Sequence, residues 1–304
     1  MGSASILCDR VRIEEKEILD ALERAGIVAT TLSPSAEPVP LTQSLVSSGP
    51  FNGFELLVDR CRDRTSAGHL MSVAADLGLP VIGGGIASTG NRLEIARALQ
   101  RAGVARPETY LASSEEAGMA ALRLVGFPAT LFSLSPSKAP QPVMDEDIAE
   151  ALLEHRHTLL APAARTMLVQ VASPGETEIA TIVVVNGRAE ASAAAGREHL
   201  RETTVFRLAE QAAAALGASL IGVQITEVDG QLVVWDVDPV PDFRGMVPTG
   251  ERSVGEAIAS LVVGMSASKP REEGTVQYPL HLAWPAIRIG GPSISCMDWW
   301  PSRV

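Results

Sequence analysis

The sequence predicts an α/β protein in which a small parallel sheet is followed by lobes of mixed α+β structure. Strands and helices alternate from residue 5 to residue 82, which is typical of parallel strands joined by right-handed crossovers. Further along, Asp229-Gly230 separates two runs rich in apolar and β-branched residues, 222–228 and 231–237. Because Asp and Gly tolerate the positive φ angles of a type I′ turn, these runs predict an antiparallel hairpin.

The composition is that of a globular protein, and it limits the classes of partner. Of the 304 residues, 46% are hydrophobic and 20% are charged, and the formal net charge is −11. This negative charge disfavours nucleic acid and anionic membrane surfaces as partners. A membrane-spanning helix needs about 18 consecutive apolar residues without a charge, and no run in the sequence is that long. Cys8, Cys61 and Cys296 are sparse and widely spaced, which predicts a cytoplasmic location and no cysteine metal motif.

The N-terminal third is predicted to contain three strands and two helices. Helix 13–25 carries an apolar stripe (Ile18, Leu19 and Leu22) and ends at Gly26. The other elements follow in order: strand 5–9 before that helix, a Ser/Pro-rich loop 33–50, strand 54–58, helix 67–77 and strand 80–82. The three glycines 83–85 lack the spacing of a phosphate-binding loop, so they predict a flexible turn between lobes.

The remainder of the chain alternates helices and strands before and after the hairpin. Ser113, followed three residues later by Glu116, predicts a capping box at the start of helix 113–125. Asn186-Gly187 predicts a second type I′ turn. The predicted helices are 89–102, 113–125, 145–155, 203–216 and 254–265. The predicted strands are 109–112, 128–134, 167–171 paired with 178–185, and 189–193, with a Pro-rich loop at 135–142.

The second strand of the hairpin carries the acids with the clearest chemical potential. Asp236 and Asp238 are two residues apart, so both carboxylates lie on one face of the strand, and Gln224 is available across the hairpin. Oxygen ligands of this kind hold divalent cations. The structural alternative is a solvated strand face whose other side, carrying Val233, Trp235 and Val237, packs inward.

Four stretches carry a resemblance to a known family. They are ILCDRVRIEEKEILDALERAG at 6–26, FELLVDRCRDR at 54–64, the succession of strand, loop, helix, strand and helix at 77–131, and the hairpin with its acid-x-acid end and following Asp-Phe-Arg at 222–244. Together they resemble the ATP-grasp ligases, in the RimK-like branch that includes the LysX-type amino-group carrier protein ligases. The resemblance implies a pre-ATP-grasp domain at 1–85, a central lobe at 86–165 and a C-terminal antiparallel-sheet lobe at 166–268. An aromatic tail at 269–304 extends beyond the resemblance.

The resemblance also implies a chemistry, in which ATP and Mg²⁺ activate a carboxylate as an acyl phosphate that an amine attacks. Arg92 stands where the family has a phosphate-binding Lys, and Gln170 and Val171 lie near the adenine hinge. Gln224, Asp236 and Asp238 stand at the metal-binding positions, and Arg244 is the candidate to grip a substrate carboxylate in bidentate fashion. Phe132 replaces a second phosphate-binding Lys, and Ala180 stands at the position of a phosphate-facing Arg.

These replacements predict a degenerate site and a non-catalytic role as a partner or scaffold subunit, or as a binding module. Restoring Phe132→Lys, Ala180→Arg and Gln224→Asp together is then expected to recover nucleotide affinity. The rival is an active carboxylate–amine ligase with a reorganised site, and a third class senses a nucleotide or metabolite without turnover. The partners expected are a second copy in a homodimer or homotetramer, an active ligase, or a carrier protein. Trp284, Trp299 and Trp300 predict that the tail packs on its own lobe or across a homodimer interface.

Overall fold

The computed structural model describes residues 2–35, 38–39, 50–134, 140–172, 179–194 and 203–267. Three sheets organise this part of the chain: one parallel and two antiparallel. The predicted α/β class, with a parallel sheet first and antiparallel sheets after it, is confirmed. Most of loop 33–50, most of loop 135–142 and the whole tail 269–304 lie outside the described residues, as does the proposed packing of the tail. Within the described ranges, no helix is long and apolar enough to cross a membrane.

The N-terminal sheet has four parallel strands in the order β2-β1-β3-β4. Its strands are β1 (Ser3–Leu7), β2 (Val28–Leu32), β3 (Leu56–Asp59) and β4 (Val81–Ile82), and its helices are α1 (Ile13–Arg24) and α2 (Arg64–Asp76). The sequence did not predict β2, an edge strand with largely exposed side chains and so without a strong apolar signal. Helix α1 ends as predicted, with Gly26 at a φ of 75°.

The three glycines after β4 were predicted to form a flexible turn, but the structure shows a bend that is tightly packed. The carbonyl of Gly83 accepts hydrogen bonds from the backbone N–H groups of Ser219 and Leu220. A Cβ at Gly85 would lie 2.1 Å from the carbonyl oxygen of Leu216, so only glycine fits there. A 3-10 turn (Gly85–Thr89) then leads to α3 (Arg92–Arg101), whose first turn is capped by the Asn91 side chain.

The central sheet is antiparallel, in the order β5-β8-β6-β7. Its strands are β5 (Thr109–Ala112), β6 (Ala129–Ser133), β7 (Gln141–Val143) and β8 (Met167–Val171), and its helices are α4 (Glu115–Val125), α5 (Glu146–Leu159) and α6 (Pro162–Arg165). Ser114, rather than Ser113, caps α4. The predicted pairing of 167–171 with 178–185 is wrong, because β8 pairs with β5 and β6. The central sheet therefore extends beyond the boundary predicted at residue 165.

The C-terminal sheet is antiparallel, in the order β12-β11-β9-β10-β13. Its strands are β9 (Ala180–Val185), β10 (Arg188–Ala194), β11 (Leu220–Val228), β12 (Gln231–Asp238) and β13 (Val247–Pro248), and its helices are α7 (Thr203–Leu216) and α8 (Val254–Ala267). Both type I′ turns have the positive φ angles expected, 49° and 73° at Asn186 and Gly187 and 51° and 77° at Asp229 and Gly230.

The two faces of the C-terminal sheet are buried by different partners. One face packs on α3 and α7 in an apolar cluster that includes Ala180, Ile182 and Ile221. The other face, through residues such as Val183 and Leu220, shares a core with α1, α8 and the parallel sheet. Because adjacent residues of a strand point to opposite faces, this division fixes which side chains of β9, β11 and β12 reach the site.

Candidate functional site

The hairpin brings three predicted metal-binding positions onto one face. In the ladder between β11 and β12, Gln224 pairs with Asp236 and Gly222 pairs with Asp238. Trp235 is the extra residue where the register shifts. Gln224, Asp236 and Asp238 line one cavity of about 270 Å³. The predicted placement of both carboxylates on one strand face is thus confirmed, and the amide across the hairpin joins them.

The cation predicted to bind phosphate is paired with an acid predicted to bind metal. Nη1 of Arg92 lies 2.8 Å from both carboxylate oxygens of Asp236. The guanidinium also lies over the ring of Phe132, with 4.9 Å between its carbon and the ring centroid. The two side chains are largely buried, 17% and 20% exposed, so this ion pair is shielded from water. A pair of this kind lowers the availability of both groups for ligands.

An apolar cluster fills the space beside this ion pair. Phe132 and Trp235 are buried with Ala96 and Leu168. A second cavity at this point has a volume of only about 30 Å³, and Arg92, Arg106, Gln170 and Asp236 are among its lining residues. Drug-sized ligand sites have volumes of roughly 300–1,000 Å³. A nucleotide base therefore does not fit beside Phe132 and Trp235 in this arrangement.

Asp238 lies in a largely desolvated environment. Burial raises the pKa of its carboxyl group, although the backbone N–H of Val240 and the charges of Arg62 and Arg60 act in the opposite direction. The Val240 N–H donates to Asp238 Oδ1 at 2.8 Å, so one of its oxygens already has a partner.

Magnesium and ATP, which the fold family implies, do not fit the donor set observed here. Of the three predicted metal-binding positions, only Asp236 and Asp238 carry carboxylates. Gln224 is neutral, Asp236 is bound to Arg92, and Phe132 lies against the Arg92 guanidinium at the position where the resemblance implies a phosphate-binding Lys.

The other predicted site residues lie in different surroundings. Gln170 is 3% exposed, and its Oε1 accepts a hydrogen bond from the Thr109 hydroxyl at 3.0 Å. Val171 is half-buried at the end of β8 and pairs with Ala129. Arg244 is exposed after β12 and lines neither of the two cavities. Its role as the residue that grips a carboxylate stays a prediction.

Ala180 does not occupy a position from which an Arg would reach this site. It pairs with Ile225, is 0% exposed, and lies in the cluster that packs on α7. Its neighbour Thr181 is half-buried and pairs with Gln224. The Thr181 side chain therefore lies on the same face of the sheet as Asp236 and Asp238. An Arg at position 180 would therefore point into the apolar cluster, whereas an Arg at position 181 would point to the face that carries the acids.

The N-terminal domain adds a set of arginines that sequence reasoning did not single out. Arg62 and Arg64 line the 270 Å³ cavity. Arg64 is buried and forms an ion pair with Asp59 at 2.7 Å, and it also donates to the Ser88 carbonyl. Ser88 in turn donates its hydroxyl to Asp59 at 3.1 Å. This network ties the 3-10 turn that precedes α3, and so the helix that carries Arg92, to the parallel sheet.

A second buried network lies behind the first. Burial would raise the pKa of Glu15, but hydrogen bonds from Arg12 and the charge of Arg60 outweigh it and hold that pKa below its ordinary value. Arg60 donates to Glu15 at 2.9 Å and stacks over Phe243 at 5.3 Å. Two features of the sequence could have indicated this network: the Arg-x-x-Glu spacing of residues 12 and 15, and the Asp-Arg pair at 59 and 60.

Comparison with known proteins gives the class of the fold. Residues 4–85 match the family model of the LysX preATP-grasp domain. A RimK-domain ATP-grasp protein from Sphaerobacter thermophilus has a similar structure, with a TM-score of 0.71 and 25% identity over 86% of this chain and 100% of that one. The ATP-grasp ligase PsnB, in complex with minimal precursor, Mg and ADP, has a TM-score of 0.61 and 14% identity over 87% of this chain and 98% of that one.

D-alanine–D-alanine ligase from Bacillus anthracis, in complex with ATP, has a TM-score of 0.54 and 16% identity over 79% of this chain and 86% of that one. At these low identities, PsnB and the D-alanine ligase show a shared fold only. The chain therefore has an ATP-grasp ligase-like fold, in which residues 4–85 are similar to the LysX preATP-grasp domain and the whole fold is similar to that of a RimK-domain protein.

Proposed function

We propose that this protein is a catalytically degenerate RimK/LysX-like ATP-grasp protein that acts as a partner or scaffold subunit, or as a binding module. The observation that carries the proposal is the ion pair between Arg92 and Asp236. Phosphoryl transfer needs a cation free to meet phosphate and an acid free to meet magnesium. Here the two groups bind each other, and the Phe132 ring covers the guanidinium.

Several features of the surroundings support the same proposal. Phe132 and Trp235 occupy space beside the ion pair, and the pKa of Asp238 is raised by burial. The proposed partners are a second copy of the chain, an active ligase or a carrier protein. A cytoplasmic location belongs to the proposal, since Cys8 and Cys61 are free thiols, as a reducing compartment favours.

The alternative is an active carboxylate–amine ligase with a reorganised site. One observation favours it: the 270 Å³ cavity collects Arg62, Arg64 and Arg92 opposite Gln224, Asp236 and Asp238. In that case, nucleotide binding must first separate Arg92 from Asp236, so that the cation meets phosphate and the acid meets magnesium. Such a site would form acyl phosphates only after this rearrangement.

The two functions differ in ATP turnover. We expect phosphate release from Mg-ATP, in the presence of a mixed pool of amino acids, to be the same for the wild type and for Asp236→Ala. The physical reason is that Asp236 is paired with Arg92 rather than poised for a metal. Release by the wild type that clearly exceeds release by the Asp236→Ala control would favour the ligase.

A further inference from the structure

The small cavity beside the Arg92–Asp236 pair contains a second arginine that the family resemblance does not assign. Arg106 lies in the loop between α3 and β5, and this loop is fixed to β12 because the Val234 N–H donates to the Ala105 carbonyl at 2.8 Å. Arg106 itself donates to the Thr109 hydroxyl at 3.1 Å. The cavity is therefore bounded by a guanidinium held in place from both lobes.

The charge of Arg106 is poorly compensated. Burial lowers the pKa of Arg106, whereas the negative charge of Asp236 raises it. Within the described part of the chain, no carboxylate lies within ion-pair distance of Arg106, and Asp236 is already bound by Arg92. The two arginines and one aspartate lining the cavity leave one net positive charge. A desolvated cation of this kind is costly unless an anion accompanies it.

Two further donors at the cavity lack an acceptor. The Gln170 amide nitrogen is buried and has no hydrogen-bond partner among the described residues, and the same is true of Arg92 Nε. Gln170 is 3% exposed, and its amide oxygen already accepts from Thr109. Buried polar groups in folded proteins are normally paired, so unpaired donors at a positive cavity point to an absent acceptor.

The volume of the cavity selects the size of that acceptor. About 30 Å³ holds about two water-sized groups, at roughly 10–15 Å³ each. This space matches the two oxygens of a carboxylate and excludes a nucleotide. We infer that this cavity is a binding site for the carboxylate group of a small organic acid, held by Arg106 together with the Arg92 Nε and the Gln170 amide. Charge-assisted hydrogen bonds from arginine are the usual means of holding such a group.

This inference rests on the proposed function, because it needs a cleft that takes no nucleotide. It makes the protein a binding module for an acid. Phe132 and Trp235, which prevent a nucleotide from entering, are among the residues that wall the carboxylate site. The cavity also shares Arg92 and Asp236 with the 270 Å³ cavity, so an acid bound here would contact the ion pair directly.

The test uses the full-length chain and sodium acetate as the probe, with sodium chloride at equal ionic strength as the reference. Thermal midpoints and calorimetric titrations are measured for the wild type, Arg106→Gln and a control, Arg101→Gln, which changes an exposed arginine at the end of α3. Acetate is expected to raise the wild-type midpoint saturably. Arg106→Gln is expected to weaken acetate binding about tenfold or more, since it removes charged hydrogen bonds, while the control binds as the wild type does.

A second variant supplies the carboxylate from within the chain. Gln170→Glu is expected to raise the midpoint in chloride and to abolish the response to acetate, because its own carboxylate would occupy the site. If Gln170→Glu instead lowers the midpoint and keeps the acetate response, the site is not one for carboxylates. Equal acetate responses in Arg106→Gln and Arg101→Gln would also overturn the inference.

A parallel titration with Mg-ATP separates this inference from the proposed function. Acetate binding without Mg-ATP binding supports both. If neither probe binds, the degenerate cleft stands and the carboxylate site is rejected. Micromolar Mg-ATP binding without acetate binding rejects both.

Discussion

An Ala180→Arg variant is expected to lose more than about 4 kcal/mol of unfolding free energy, enough to prevent folding of a typical domain. Ala180 is fully buried in the cluster between β9 and α7, where a guanidinium would find neither space nor a counter-charge. The family resemblance implies an Arg at this position, but the sheet face here is a core. Circular dichroism and urea denaturation measure the effect.

The matched control is Thr181→Arg, one residue along the same strand. Thr181 is half-buried and pairs with Gln224, so an Arg there extends toward the acids and is expected to cost roughly 1 kcal/mol or less. If Ala180→Arg folds as well as Thr181→Arg does, the assignment of the two faces is incorrect. Attempts to restore nucleotide affinity should therefore combine Phe132→Lys and Gln224→Asp with Thr181→Arg.

Asp59→Asn is expected to cost about 3–5 kcal/mol of unfolding free energy, because it leaves the buried Arg64 without its counter-charge. Arg64 would keep its hydrogen bonds to the Ser88 and Cys61 carbonyls, but these carry no full charge. The change also weakens the hold on the 3-10 turn that precedes α3. Urea denaturation compares this variant with the wild type.

Glu94→Gln is the control for this change. Glu94 pairs with Arg97 at 2.9 Å, and both side chains are exposed, so its loss is expected to cost roughly 0.5 kcal/mol or less. A similar loss of stability in Asp59→Asn and Glu94→Gln would show that the buried pair does not stabilise the protein.

The elements with strong local signals were predicted from the sequence. The bounds of helix 203–216 agree with α7, because its apolar pattern runs unbroken and Gly217 ends it. The Asp229-Gly230 turn predicted the hairpin. The alternation of side chains along its second strand then predicted that Asp236 and Asp238 lie on one face. Strand β2 was not predicted because an exposed edge strand carries no alternation of apolar residues.

Features that depend on contacts between residues far apart in the chain could not be predicted from the sequence. Strand β8 joins the central sheet through β5 and β6, although the next strand along the chain was the obvious partner. The face of Ala180 depends on register, since a shift of one residue exchanges the two faces of a strand. Arg106 gave no signal because a single arginine in a loop has no pattern, and its burial comes from the lobes around it.

Calorimetric titration of the protein with Mg-ATP tests the central claim most directly. With Arg92 bound to Asp236, Phe132 over the guanidinium and Gln224 at a metal position, we predict no binding at micromolar nucleotide concentrations. A micromolar dissociation constant that is abolished by Asp236→Ala would contradict this account, because it would show that the acid is available to a magnesium nucleotide.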